Sequence, residues 1–219
     1  MNNKLLVAIF LLILIVLLVG AAFGFRFAGG EGYFEPMPIV TEIVSGDSTV
    51  ETNGEIQPLQ TGKILTRGQT IHTGNGARVL VRIGERITIA LDQRTDVVIE
   101  KLFPSEVEIK LIGGRLLADT SSETEKLIIS SPKSSAAITD GAITAVRYDF
   151  LNKTSFTPIG DEVSVDIPDG IPLYANKGQT VDVNEKNPMY SDLSEFNWQT
   201  SSDADFFNWV IEVTGIELL

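Results

Sequence analysis

The sequence contains no cysteine, and that one absence removes disulfides, thiolate catalysis, thiolate zinc sites and acylation at a lipoprotein cysteine. An exported domain built from it must be held by its own apolar core. Histidine is almost as scarce: His72 is the only one, so a histidine-based triad would have to include it and a multi-histidine metal site is excluded. Basic charge is short as well, with 17 Lys and Arg against 29 Asp and Glu and a formal net charge of -12. Phosphate recognition needs clustered Lys and Arg, so the balance argues against nucleic acid and anionic lipid head groups as partners. No Gly-rich phosphate loop, heptad repeat or low-complexity tract is present.

What is present begins at the amino end. Lys4 is followed by an apolar run from Leu5 to Ala22 with no polar or charged side chain, and about twenty such residues span the hydrocarbon core of a bilayer. Residues 1–26 are therefore expected to be a transmembrane anchor or a signal peptide, with Gly20-Ala21-Ala22 as the cleavage site in the second case. Retention is favoured, because the run exceeds the usual signal-peptide core of about 7–15 residues and Phe23 and Phe25 extend it. Lys4 on one side and an acidic remainder on the other favour a cytoplasmic amino end and an extracytoplasmic bulk. The expected location is the inner membrane, single-pass, or outside the cell if the segment is cleaved. Residues 27–38, rich in Gly and Pro, read as a tether.

From Ile39 to about Glu185 short β-type runs are separated by Gly, Pro, Asn and Asp. Arg78–Ile83 and Arg86–Leu91 alternate apolar and polar residues, the mark of strands with one buried face, and Gly84-Glu85 reads as a two-residue hairpin loop between them. Further strands are expected at Thr95–Lys101, Glu106–Ile112, Arg115–Asp119, Lys126–Ser130, Ala142–Phe150, Glu162–Ile167, Ile171–Ala175 and Gln179–Val183. The spacing predicts an all-β fold of short antiparallel strands in a sandwich, barrel or stacked-hairpin solenoid. Residues 186–219 change period: Ser202 and Asp205 have capping-box spacing, Phe206, Phe207, Val210 and Val213 recur helically, and Gly215 is a C-cap. An amphipathic helix over Ser202–Gly215 is expected to cap the open end of the β-domain, with Trp198, Phe206, Phe207 and Trp209 packing it down rather than forming a ligand platform.

The stretch from Gln57 to Ile99 resembles the FecR domain of bacterial envelope proteins. The resemblance rests on Leu59 and Gly62, on Gly68 with Ile71 and Thr73, on Gly76 with Val79, Val81 and Ile83, on the Gly84 turn, on Ile87, Ile89 and Leu91, and on Thr95 with Val97 and Ile99. It continues more weakly through Val107–Leu117, where Gly113-Gly114 falls in a family-like segment, and through Ile129–Phe150. Gln69 stands where the family has Asp, and Gly84-Glu85 replaces its Asp-Gly turn. The resemblance implies an extracytoplasmic β-module on a single-pass anchor, used for protein contact or envelope sensing. In the family's name-giving transducers a cytoplasmic head regulates a sigma factor; here only a few residues precede the apolar run, so such a head is expected on another protein. By their residue types alone the signature glycines and threonines read as structural.

Chemistry is thinly supplied. His72 reads as a solvent-facing strand residue rather than a general base. Ser130-Ser-Pro-Lys133 satisfies S-x-x-K and Lys153-Thr-Ser155 faintly echoes K-T-G, but acyl-transferases need that serine at a helix start and this segment is strand-like. Asp161-Glu162, Asp166 with Asp169, and Asp203 with Asp205 lack the spacing of a calcium loop and read as solvating charge. No pair of carboxylates stands out for glycoside hydrolysis. Asn152-Lys-Thr154 fits a glycosylation pattern that is idle in a bacterial host. No catalytic, cofactor or metal residue is assigned. The expectation is a non-enzymatic envelope module whose partner is another envelope protein, reached through exposed strand edges. The alternative is a carbohydrate- or cell-wall-binding structural protein using Tyr33, Tyr148, Tyr174, Tyr190 and the two tryptophans.

Overall fold

Alternating apolar residues turn into strands only where each apolar face finds a partner, and among the described residues 17 strands join in one hydrogen-bonded network. The computed structural model describes residues 37–120, 126–138, 142–168, 170–188 and 191–218. The expected anchor and nearly all of the tether lie outside them. Among the described residues no helix is long and apolar enough to cross a membrane.

One layer runs, in spatial order, β4 (Ile64–Leu65), β1 (Ile39–Ser45), β6 (Arg78–Ile83), β7 (Ile87–Leu91), the second half of β9 (Glu106–Thr120), β12 (Ile143–Tyr148), β13 (Lys153–Pro158), β16 (Gln179–Asn184) and β17 (Asp192–Glu195), every neighbouring pair antiparallel. The other runs β3 (Glu55–Pro58), β2 (Ser48–Thr52), β5 (Thr70–Thr73), β8 (Asp96–Phe103), the first half of β9, β10 (Lys126–Ser130), β11 (Ser135–Ile138), β14 (Val163–Asp166) and β15 (Leu173–Ala175). Among the described residues only the β9–β10 pair is parallel.

Strand β9 belongs to both layers. The sequence reading expected two strands here, Glu106–Ile112 and Arg115–Asp119; one continuous strand of 15 residues is found. The bend sits at Gly114, whose φ of +87° is cheap only for glycine and lets the chain change layers without ending the strand.

Two cores result. Ile39, Val81, Ile89, Val97, Ile109, Ile129 and Val165 belong to the core shared by the layers. On the outer face of the first layer, Leu80, Ala90 and Leu117 pack with Phe206, Phe207 and Val210 of α1 (Ala204–Thr214). Double coverage explains β7, where all five residues are buried: Ile87, Ile89 and Leu91 face the shared core and Ala90 faces the helix. Fully burying each such aliphatic side chain is worth about 1.5–3 kcal/mol.

Three local expectations are corrected. Ile83 pairs with Ile87, so the hairpin loop holds three residues, Gly84 to Arg86, because Arg86 does not join the strand. The capping box does not form: α1 is capped by Asp203 with no side-chain cap bond, the Asp203 carboxylate being engaged by Arg115, and Ser202 Oγ donates to Asp203 Oδ1 at 2.9 Å. The C-cap is as expected, with Gly215 at φ +71° and its N–H on Ile211 O at 2.9 Å. Finally, the helix lies on a sheet face rather than over an open end, because Leu80, Ala90 and Leu117 form an apolar strip there.

Candidate functional site

The residues that carry the family resemblance divide between the core and its turns: Leu59, Ile71 and Thr73 are buried, while Gly62, Gly68 and Gly76 are exposed. The Thr73 hydroxyl donates to Asp92 O at 2.5 Å and accepts from the Thr95 N–H at 2.7 Å, tying β5 to the loop ahead of β8. The N–H groups of Gly62, Gly68 and Gly76 donate to Thr41 O, Ile99 O and Gln93 Oε1 at 2.7, 2.8 and 2.9 Å. Gly84 turns the β6–β7 hairpin at φ +58°. Gln69 keeps the accepting role an Asp would play: its Oε1 takes the Thr66 N–H at 2.8 Å while its Nε2 donates to Thr52 Oγ1 at 2.9 Å.

His72 is not a plain solvent-facing residue. It stands on β5 between β2 and β8, half-buried, with Nδ1 2.7 Å from Asp96 Oδ1 and Nε2 3.4 Å from Glu51 Oε2. Asp96 occupies Nδ1, while Nε2 is buried without a hydrogen-bond partner and has Glu51 beside it only at ion-pair distance. The S-x-x-K residues do not meet as a dyad: Ser130 Oγ donates to Glu108 Oε1 at 3.1 Å. Their neighbours Ser131 and Ser134, with Thr154, instead donate to one oxygen of buried Glu185 at 2.5, 2.7 and 2.5 Å. Nothing in the sequence marks Glu185, whose partners come from 31 to 54 residues away. Of the K-T-S segment, Lys153 and Ser155 both engage Asp182, at 2.7 and 2.5 Å. Among the described residues no group of three or more His, Asp or Glu is placed to hold a metal ion.

Charge on the outer faces is mostly paired. Glu108 and Glu106 hold the Lys101 ammonium well above its ordinary range, and Lys101 in turn lowers Glu106. Glu42 raises the Arg82 guanidinium further through a two-pronged contact, Nε to Oε1 at 2.5 Å and a second nitrogen to Oε2 at 3.1 Å. Burial pushes the Asp119 carboxyl up against the opposing pull of Arg82. Tyr148 is raised by burial first, then by Glu185 and Asp149.

A concentration of arginine breaks the acidic pattern where the two layers meet. On one side of β9 the partner changes from β10, whose last pair is Lys110 with Ser130, to β12, whose first pair is Gly114 with Tyr148. Leu111 to Gly113 have no ladder partner on that side. Above them opens a groove of about 690 Å³ lined by Arg94, Ile112, Gly113, Arg147, Tyr148 and Phe150 among others. Phe150 is 91% exposed and Ile112 45%, and Leu151 beside Phe150 is exposed as well. Arg115 and Arg147 also line a cavity of about 230 Å³ together with Ser155, Thr157, Thr180, Phe206 and Phe207.

Arg115 is committed to structure, Nε 2.5 Å from Asp92 Oδ2 and its outer nitrogen on Asp203. Arg78 holds the other Asp92 oxygen at 3.0 Å and lies 5.4 Å from the Trp209 ring, so the helix is held by charge as well as by apolar contact. Arg147 reaches Asp203 only at 3.9 Å and its side chain is 48% exposed. Arg94 is exposed, with Nε on Asn75 Oδ1. The aromatic side chains of the carboxyl-terminal segment are spent on packing, Trp198 on Phe207 and Trp209 on Phe206 at 5.9 and 6.1 Å between ring centroids.

The domain is a mostly antiparallel, two-layered β-fold whose motif glycines stand in turns and whose layer seam carries a groove lined by apolar side chains and arginine. Residues 69–155 match the family model described as FecR protein, and the chain carries a FecR domain over that stretch. Ile71, Thr73, Gly76 and Gly84 fall inside the match, while Leu59, Gly62 and Gly68 precede it. In fold the chain is similar to two crystal structures from Parabacteroides distasonis, each of a protein provisionally described as an anti-sigma factor. The first has 15% identity and a TM-score of 0.53 over 64% of this chain and 64% of that one. The second has 15% identity and a TM-score of 0.52 over 59% and 61%. The chain thus spans less than two thirds of the length of either structure, and at that identity the likeness is one of fold. No curated protein matches the chain in sequence.

Proposed function

We propose that this chain is a non-catalytic module, anchored by the Leu5–Ala22 run, that projects its FecR domain outside the cytoplasmic membrane and binds another envelope protein there as part of signal sensing. The observation that carries the reading is the groove at the layer seam. Large apolar side chains left in water beside half-exposed arginine are the composition of protein contact patches. The glycan-binding alternative draws less support, since both tryptophans pack against phenylalanines.

The test is membrane fractionation followed by crosslinked capture with the full chain in its own host. Retention in alkali-washed membranes, cleavage of the domain by protease added from outside, and one defined protein in the crosslinked product are expected. Release by alkali would overturn the anchor, and recovery of cell-wall fragments without protein would overturn the protein partner.

A further inference from the structure

We infer that the seam groove takes an extended, acidic segment of a partner protein, with an apolar side chain of that segment against Phe150 and Ile112 and its carboxylates on Arg147 and Arg94. The inference rests on the partner-binding reading and names the chemistry of the partner. Three features of the same place point to it. The first is shape. Gly113 carries no side chain, and a Cβ built on it would meet nothing within 4 Å, so the groove floor is open to close approach by another backbone. Between the end of one ladder and the start of the next Leu111 is buried but Ile112 and Gly113 line the groove, so an incoming extended chain meets strand backbone at those two residues, as in strand addition.

Charge is the second feature. The chain carries -12 overall, yet Arg94, Arg115 and Arg147 line one groove. Its two acids are already engaged: Asp149 Oδ1 accepts the N–H groups of Leu151 and Lys153 at 2.8 and 3.1 Å, and Asp203 is held by Arg115. Arg147, with only a 3.9 Å ion pair, keeps guanidinium donors for a carboxylate. The third feature is apolar. Phe150 at 91% exposure lies against no core, and a segment bearing both carboxylate and apolar side chains would cover it as it pairs with the arginines. The net negative field of the chain opposes an acidic partner at long range, so this recognition is short-range and operates where salt screens beyond about 8 Å.

The experiment is site-specific photocrosslinking in the full chain, in host membranes, with a benzophenone amino acid at Phe150 and, in parallel, at the distant exposed positions Ile56 and Ile171; adducts are mapped by mass spectrometry. The expected adduct at Phe150 lies on a segment of negative net charge, and Arg147→Glu or Arg94→Glu lowers its yield by about fivefold or more while Arg147→Lys retains most of it. Equal melting temperatures of variant and parent domains show that the loss is not unfolding. An adduct on a neutral or basic segment, or a yield indifferent to charge reversal, overturns the acidic segment and leaves the partner-binding reading standing. Adducts at Ile56 or Ile171 alone overturn the location. The absence of any protein adduct at all three positions, or an adduct on glycan, overturns both.

Discussion

Arg115 places its Nε 2.5 Å from an oxygen of Asp92, a carboxylate with 0% exposure, and so fixes the point where the FecR-type strands, β9 and the carboxyl-terminal helix meet. Arg78 holds the other oxygen at 3.0 Å. A buried acid between two arginines is tolerated only while all three remain, because removal of one partner leaves uncompensated charge away from water. Asp92→Ala is therefore expected to cost about 3–5 kcal/mol, read as a lower urea midpoint at unchanged slope. Asp92→Asn, which keeps the shape and one acceptor, should cost less. A loss below about 1 kcal/mol in the alanine variant would show that the cluster is solvated and contributes little.

Much of this arrangement was legible from local pattern alone. Arg78–Ile83 and Lys126–Ser130 were expected with the bounds they have, because Val79, Val81 and Ile83, and Leu127 and Ile129, recur at every second position and meet the shared core. Ser135–Ile138 and Lys153–Pro158 were missed: small and hydroxyl-bearing residues hide the period, and these strands form because their neighbours β10, β14, β12 and β16 supply ladders. The groove was not legible at all. It exists because β9 exchanges partners at Lys110 and Gly114, and because Asp203 meets Arg115 across 88 residues, relations that no periodicity encodes. Phe150 continues the apolar pattern of a strand in sequence but lies beyond its end, in the turn after Tyr148, which is why its ring is exposed.

Two adjacent glycines should respond in opposite ways. At Gly114 the φ is +87°, and a Cβ would stand 2.5 Å from Arg94 O and 2.6 Å from the Thr95 Cα, with Thr95 Oγ1 in contact as well. Backbone cannot withdraw from there without breaking the Thr95–Arg115 bonds at 3.0 and 3.1 Å, so Gly114→Ala is expected to lose more than about 2 kcal/mol. At Gly113 the same methyl meets open space. Gly113→Ala should stay within about 0.5 kcal/mol of the parent in the same melts. Equal effects at both sites would mean that β9 does not bend at Gly114.

Asp119 gives the stability a defined pH dependence. Its carboxyl is raised chiefly by burial, with Arg82 acting against that, so the folded state holds the proton more tightly than the unfolded chain does. The corresponding stability is complete below the unfolded value near about 3.9 and is lost as pH rises through the folded value. Asp119→Asn removes the cost of burying the charge, and so should stabilise the domain at pH 7 by an amount that shrinks toward pH 3. Glu106, lowered by Lys101, acts in the other direction, its contribution disappearing as pH falls, but it lies at the surface and weighs little. Denaturant titrations of parent and Asp119→Asn across that range separate the two. Destabilisation by Asp119→Asn at pH 7 would make the attraction to Arg82 the stronger effect.

The carboxyl-terminal helix covers a face that cannot remain in water. Leu80, Ala90, Leu117 and Ile159 form an apolar strip on the outside of a sheet whose inside is already buried, and Phe206, Phe207 and Val210 lie on it with almost no exposure. Truncating either phenylalanine removes an aromatic side chain from a packed site and leaves a cavity, so Phe206→Ala and Phe207→Ala should each cost about 3–5 kcal/mol. Phe206→Ala has a further consequence, since the guanidinium carbons of Arg78 and Arg115 both lie 6.0 Å from that ring. Combined with Asp92→Asn it should lose less than the two changes apart, because both loosen the same arginines, whereas Phe207→Ala with Asp92→Asn should come closer to additive. Urea unfolding of the three single and two double variants measures that difference. Equal coupling in the two pairs would place the hold on the helix in its apolar face alone.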